Sequence, residues 1–149
     1  MVKRILAISS GGGHWVQLLR LRPAFAGHDV TYATVLRDYQ SDVGDARFYV
    51  IHDATRWNKL GLVLQALQIA WIILRARPDI VISTGAAPGY FAMRFAKWLG
   101  KKTIWIDSIA NVERLSMTGE LVAPYGDLWL TQWAHLAKPE GPHFMGAVL

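Results

Sequence analysis

The sequence predicts an α/β fold: a single Rossmann-like, doubly wound and mostly parallel sheet. Strand-like and helix-like runs alternate along the chain, as a parallel sheet with crossover helices requires. Two of the strand-like runs end in glycine-rich turns that lead straight into helices. The 149 residues suit one domain with one core, spanning 1–149.

The first strand is Arg4 to Ile8, followed by the polar Ser9-Ser10 and then Gly11-Gly12-Gly13. A helix starts near His14, and Pro23 ends or kinks it. Val30 to Val35 reads as the second strand and Phe48 to Ile51 as a short third. Asp79 to Ser83, introduced by Pro78, is the fourth; Thr103 to Ile106 is the fifth and Leu128 to Thr131 the sixth. Between the fourth and fifth lies a helix from Pro88 to Leu99. Pro88 suits its first turn and Gly100 the position beyond its last. Phe91, Phe95, Trp98 and Leu99 form its apolar face, with Arg94 and Lys97 opposite.

The helix over residues 60–74 carries more apolar surface than a sheet needs. Leu60, Val63, Leu64, Leu67, Trp71 and Leu74 form one stripe that can cover the sheet. Leu62, Ala66, Ile69 and Ile73 form a second, and only Gly61, Gln65, Gln68 and Arg75 make a polar or small strip. The second stripe must meet a neighbouring helix, a partner or lipid. Arg56, Lys59, Arg75 and Arg77 flank it, as beside anionic headgroups.

Composition narrows the function classes. The chain is 52% apolar and 18% charged, with mean hydropathy +0.20, which excludes a disordered or fibrous protein. It has no cysteine, so disulfide scaffolds, thiolate metal sites and cysteine nucleophiles are excluded. No metal or other cofactor is expected, because no histidine–carboxylate pair has ligand spacing. No signal peptide is apparent, and no apolar run reaches the roughly 18–20 residues of a membrane span. The expectation is a cytoplasmic protein, soluble or peripheral on a membrane. Net charge is +5 and the isoelectric point about 9.7, which suits anionic lipid or phosphorylated substrates. Nucleic acid fits less well, since the basic residues are scattered and no nucleic-acid module is present.

In open parallel sheets, ligands bind outside the carboxyl ends of the strands. Four such ends are polar or glycine-rich here: Ser9 to His14, Ser83 to Gly89, Asp107-Ser108 and Thr131-Gln132. In the usual strand order they converge on one crevice. The loop Gly11–Gly13 can bring backbone N–H groups to an anion at a helix N-terminus. No Gly-Lys-Ser/Thr follows, so it is not a P-loop, and Val16 stands where a dinucleotide fingerprint has its third small residue. Asp38 could still bind a ribose, which keeps a nicotinamide-dependent oxidoreductase as an alternative. His14 is a candidate general base or a loop-packing histidine; Asp107 a hydroxyl or histidine partner or a turn residue; Glu113 a site acid or a helix-start acid.

Taken together these motifs resemble a family. The runs Ser9–His14 with Gln17–Leu21, Ile82–Ala86, Ile106–Glu113, Leu115–Gly119 and Gln132-Trp133 are similar to acceptor-side, membrane-anchoring subunits of split GT-B glycosyltransferases. Members include the anchoring subunit of the asparagine-linked glycosylation UDP-N-acetylglucosamine transferase and PssD-like subunits of bacterial exopolysaccharide glucuronosyltransferases. The resemblance implies the N-terminal, acceptor-binding lobe of a MurG-like enzyme, with a separate chain supplying the UDP-sugar-binding lobe. It implies a polyprenyl-diphosphate-linked saccharide as acceptor. Ser10, Gly11, Gly12, Gly13, Thr84 and Gly85 would face the diphosphate, and His14, Asp107 and Glu113 the acceptor hydroxyl. Leu62, Ala66, Ile69, Ile73 and Arg75 would face the membrane, and Phe144, Met145, Val148 and Leu149 the partner. The family often has Glu where Asp107 stands, and no membrane span precedes Arg4, so attachment should be peripheral. A non-catalytic adaptor that recruits the UDP-sugar-binding chain is the alternative.

Overall fold

Ile5, Leu6, Ala7 and Ile8 are all buried, as a central parallel strand covered on both faces requires. The computed structural model describes residues 1–148 and places these four in strand β1 (Arg4–Ile8). The sheet has seven strands in the order β3-β2-β1-β4-β5-β6-β7, and every neighbouring pair is parallel. The others are β2 (Asp29–Thr34), β3 (Arg47–Val50), β4 (Ile80–Ser83), β5 (Lys102–Ile106), β6 (Leu128–Thr131) and β7 (His143–Phe144). The chain winds outward from β1 to β3, returns beside β1 as β4, and then winds the other way. That reversal puts the helix after β1 and the helices after β3 and β4 on opposite faces, as right-handed crossovers demand.

Helix α1 (Gly13–Arg20) covers one face, packing Trp15 and Leu18 onto Ile5, Ala7 and Tyr32. Helices α2 (Lys59–Ala76) and α3 (Ala86–Trp98) cover the other, over Leu6, Ile8, Val81 and Trp105. The short α4 (Met117–Leu121) joins them beside β6. The expected strands are present within a residue or so. Two elements were not legible as patterns: β7 is two residues long, and α4 only five.

Two helix faces differ from expectation. In α3 the small or flexible residues Ala92, Met93 and Ala96 meet the sheet, while Trp98 and Leu99 are exposed. Small side chains let the helix axis come close, and the aromatic residues flank the contact. Arg94 lies over Trp98 at 4.7 Å and donates to Tyr90 Oη at 2.9 Å. Gly100, at φ +72°, ends the helix as predicted.

In α2 the expected faces are exchanged. Ile69, Ile72 and Ile73 are buried, so Ile69 and Ile73 cannot face a membrane, and Leu62 and Ala66 are half-buried. Leu60, Val63, Leu64, Leu67, Trp71 and Leu74 point outward instead, each between 46% and 84% exposed. The cause is the glutamine strip. Gln65 Nε2 donates to His52 O at 2.7 Å, and His52 N donates to Gln68 Oε1 at 2.6 Å. The backbone after β3 needs those partners, so the polar strip turns inward. Arg75 remains exposed. The helix is also 18 residues long with mean hydropathy 1.4, enough by length and composition for a membrane span, which corrects the expectation that no run qualifies. Here it lies along the sheet, held by the buried glutamine and isoleucines.

At the amino edge, Arg4 ties β1 to the residue before β4. Its backbone N donates to Asp79 Oδ2 at 2.8 Å, and its guanidinium pairs with Oδ1 at 3.2 Å. Hydrogen bonds from the Arg4 side chain and backbone hold the Asp79 carboxyl at about 2, below its usual 3.8. A carboxyl with a lowered folded-state value stabilises the fold above its unfolded value and stops doing so as pH falls through the folded one. Melting temperature measured from about pH 4 down to about pH 2 should therefore fall less steeply in Asp79→Asn than in the parent protein.

Candidate functional site

The carboxyl ends of β1 and β4 are adjacent, with Ile8 beside Ser83. Each strand feeds a glycine-bearing turn and then a helix, so two helix N-termini open into one crevice. Gly12, at φ +66°, turns the chain into α1, and its N–H donates to Tyr39 Oη at 3.0 Å. Tyr39 is itself fixed by stacking on Trp15, with ring centroids 5.2 Å apart. The Ser10 carbonyl accepts from Ser9 Oγ at 2.9 Å and Thr34 Oγ1 at 3.3 Å, which fixes the start of the loop. Neither α1 nor α3 has a side-chain cap, so first-turn N–H groups remain for an incoming acceptor atom.

The two turns are bound to each other by a reciprocal pair. His14 Nδ1–H donates to Thr84 O at 3.1 Å, and Thr84 Oγ1–H donates to His14 O at 2.6 Å. A carbonyl oxygen can only accept, so the proton sits on Nδ1 and the lone pair on Nε2. Gly85, at φ +151°, leaves room for the imidazole: a Cβ there would collide with the His14 ring. Ser83 Oγ accepts from Gly85 N at 3.2 Å. His14, Thr84 and the glycines therefore come together as expected.

Asp107 also lies at this edge, but in another role. It is 1% exposed and accepts from Ser116 N at 2.9 Å, Ser116 Oγ at 2.5 Å, Asn111 Nδ2 at 3.1 Å and Trp105 Nε1 at 3.2 Å. Both its oxygens are occupied, and Gly119 packs against it where no Cβ fits. This carboxylate closes the loop from Asn111 to Ser116. The structure thus places Asp107, expected near the acceptor hydroxyl, as a buried anchor of that loop. Glu113 is exposed on that loop, and no hydrogen bond joins it to His14 or Asp107 among the described residues.

Sequence reasoning missed the roles of Gln17, Ser108 and Gln132. All three are buried and bonded to one another: Gln17 Nε2 donates to Ser108 Oγ at 3.0 Å, and Gln132 Nε2 to Gln17 Oε1 at 2.6 Å. The usable signal was a glutamine on the apolar side of α1, next to Leu18. Of the tail, Phe144 pairs with Thr131 in the sheet, Met145 is 74% exposed, and Val148 is fastened by Gln132. Leu149 lies outside the described residues. Replacing Gly85 by Ala should displace the His14 ring and lower stability by roughly 1–3 kcal/mol, measured by urea unfolding.

The chain is 27% identical to the UDP-N-acetylglucosamine transferase subunit alg14 of Schizosaccharomyces pombe, over 98% of this chain and 83% of that protein. It is 27% identical to the human subunit ALG14, over 90% of this chain and 77% of that protein. Among solved structures, MurG from Acinetobacter baumannii superposes with TM-score 0.70 at 14% identity over 97% of this chain. A UDP-N-acetylglucosamine 2-epimerase from Rickettsia bellii gives TM-score 0.70 at 11% identity over 91%. The chain spans 43% of that MurG and 40% of that epimerase, and the likeness is one of fold. The fold is thus the expected MurG-like, GT-B-type lobe, and its match over residues 50–148 makes the chain a member of the family described as "Oligosaccharide biosynthesis protein Alg14 like".

Proposed function

We propose that this chain is the acceptor-side, membrane-associating subunit of a two-chain UDP-N-acetylglucosamine transferase, acting on a polyprenyl-diphosphate-linked saccharide at the cytoplasmic face of a membrane. The observation that carries the reading is the joined pair of glycine turns. Two uncapped helix N-termini, tied to each other by the hydrogen bonds between His14 and Thr84, suit two linked phosphates better than one. Relatives covered over 83% and 77% of their length are themselves named as subunits, which supports a second chain carrying the UDP-sugar.

In this reading the diphosphate rests on the N–H groups of Gly13 and His14 and of Ala86 and Ala87, since those of Gly12 and Gly85 are taken by Tyr39 Oη and Ser83 Oγ. His14 Nε2 takes the proton of the acceptor hydroxyl. The freed oxygen forms its bond to the anomeric carbon as the bond from that carbon to UDP breaks on the opposite side, inverting the centre. Nδ1–H, held by Thr84 O, keeps the ring aimed and stabilises the imidazolium that forms. Asp107 holds the neighbouring loop, and the departing UDP belongs to the partner. The exposed Phe144 and Met145 offer that partner apolar contact at the same edge, next to Val148, which Gln132 holds.

The outward stripe of α2 supplies the membrane contact. It begins near the crevice, where Trp57 is exposed with Arg56 lying over its ring at 4.6 Å, and runs down the helix between the cations Arg56, Lys59, Arg75 and Arg77. Apolar area flanked by cations fits an anionic bilayer surface, each cation adding about 1 kcal/mol at low salt.

The purified chain should show no transfer by itself, and transfer should appear with the UDP-sugar-binding chain. His14→Gln in that pair should lower kcat by about 100-fold or more while complex formation persists. Full activity of His14→Gln would reduce the chain to an adaptor. Sedimentation with phosphatidylglycerol vesicles should be strong, and Leu67→Gln with Trp71→Gln should weaken it about tenfold or more. Unchanged binding would remove α2 from the membrane contact.

A further inference from the structure

The buried glutamine network leaves no freedom in how its members are turned. Gln132, 3% exposed, follows β6. Its Nε2 donates to Asp107 O at 2.9 Å and to Gln17 Oε1 at 2.6 Å, and its Oε1 accepts from Val148 N at 2.7 Å. A carbonyl can only accept and an N–H can only donate, so this amide cannot be flipped. Its orientation then dictates that of Gln17. Gln17 Oε1 faces the Gln132 donor and also accepts from Ile109 N at 3.2 Å, leaving Nε2 for Ser108 Oγ at 3.0 Å. The Ser108 oxygen accepts in turn from Ala110 N at 3.1 Å.

The polar groups of residues 107–110 are therefore held from two sides, by α1 and by the end of β6. Trp133 adds a third contact, donating Nε1–H to Ile109 O at 2.7 Å. On α1, Gln17 lies one turn beyond His14, so the turn after β5 is registered to the same helix that carries the imidazole. A buried network of this kind tolerates no partial loss, because each deleted partner leaves another group unsatisfied. Mere burial would not need it: an apolar pair of the same volume would fill the space.

We propose that Gln17 and Gln132 are positioning residues for the acceptor. They fix the backbone of residues 107–110 relative to His14, and the seating of Val148 keeps Gln132 turned for that task. The inference rests on the transferase reading and adds to it the means by which the turn after β5 is placed beside His14. Misplacement of such a turn by about 1 Å is enough to lower productive binding by one to two orders of magnitude.

The test uses the chain with its UDP-sugar-binding partner, UDP-N-acetylglucosamine as donor, and a short-prenyl diphosphate-linked N-acetylglucosamine as acceptor. Three variants are compared: Gln17→Met, Ser108→Ala and, as a control, Gln65→Met, whose buried amide serves His52 after β3 and takes no part in the network. Gln17→Met and Ser108→Ala should raise KM for the acceptor about tenfold, leave KM for the donor within about twofold, and speed hydrogen exchange at the Ile109 and Ala110 amides. Gln65→Met should lower the melting temperature and change none of these. Ser108→Ala removes a single hydroxyl and carries the test if Gln17→Met does not fold. The proposal is overturned if acceptor KM and amide exchange stay at parent values, or if Gln65→Met reproduces the KM effect. If the parent pair transfers no sugar, the transferase reading fails, while the exchange rates still decide whether the network sets the turn.

Discussion

At the point where the winding of the sheet reverses, two strands that are neighbours in space release their chains to opposite faces, and nothing in the sheet itself closes the gap between them. The reciprocal hydrogen bonds of His14 and Thr84 do so. Each residue gives one side-chain donor to the other's backbone carbonyl, so the two turns share one geometry. Gly85 is the condition for this, because any side chain there would occupy the volume of the imidazole. The same contact sets the histidine tautomer, spaces the two helix N-termini and defines the floor of the crevice. The arrangement of the remaining edge, from Asp107 to Gln132, is built outward from it.

Asp107 illustrates how that edge divides structural from chemical work. Its carboxylate takes four donors, two on each oxygen, and so holds the loop that follows β5. A shorter side chain than glutamate suits this position, because Ser116 and Gly119 come close to the strand end and leave no depth for a further methylene. In the proposed reaction the proton of the acceptor hydroxyl would go to His14 Nε2 instead.

Much of the fold was legible because its signals are local. Apolar strand runs, glycine after a strand and glycine after a helix each reflect the conformational needs of a few consecutive residues. The glycine turns and His14 were legible for the same reason. The orientation of α2 was not. By composition its leucine and tryptophan stripe is the stronger core candidate, but the inward face is chosen by Gln65 and Gln68, whose partner is the backbone of His52 in the loop after β3. Helical periodicity sees only the helix. In α3 the aromatic residues carry the apolar periodicity, whereas Ala92 and Ala96 provide the closeness to the sheet. The role of Asp107 and the pairing of Gln17 with Gln132, 115 positions apart, depend on contacts of long sequence separation that no spacing rule encodes.

The exchange of faces on α2 also bears on the proposed membrane contact. An isoleucine stripe turned outward would have left Gln65 facing lipid with no partner, a costly arrangement in hydrocarbon. With the glutamines turned in, the outer surface between Leu60 and Leu74 is free of charge along its length, and the cations sit at its two ends, where headgroups would be. The helix begins at the carboxyl edge of the sheet and its axis runs away from it. A bilayer lying along the outer stripe would therefore approach the crevice from its rim, and a saccharide carried on a prenyl diphosphate could reach the glycine turns while its tail stayed in lipid. That geometry needs no span of the membrane by this lobe: the same 18 residues that could cross a bilayer are committed on one side to Leu6, Ile8 and Val81.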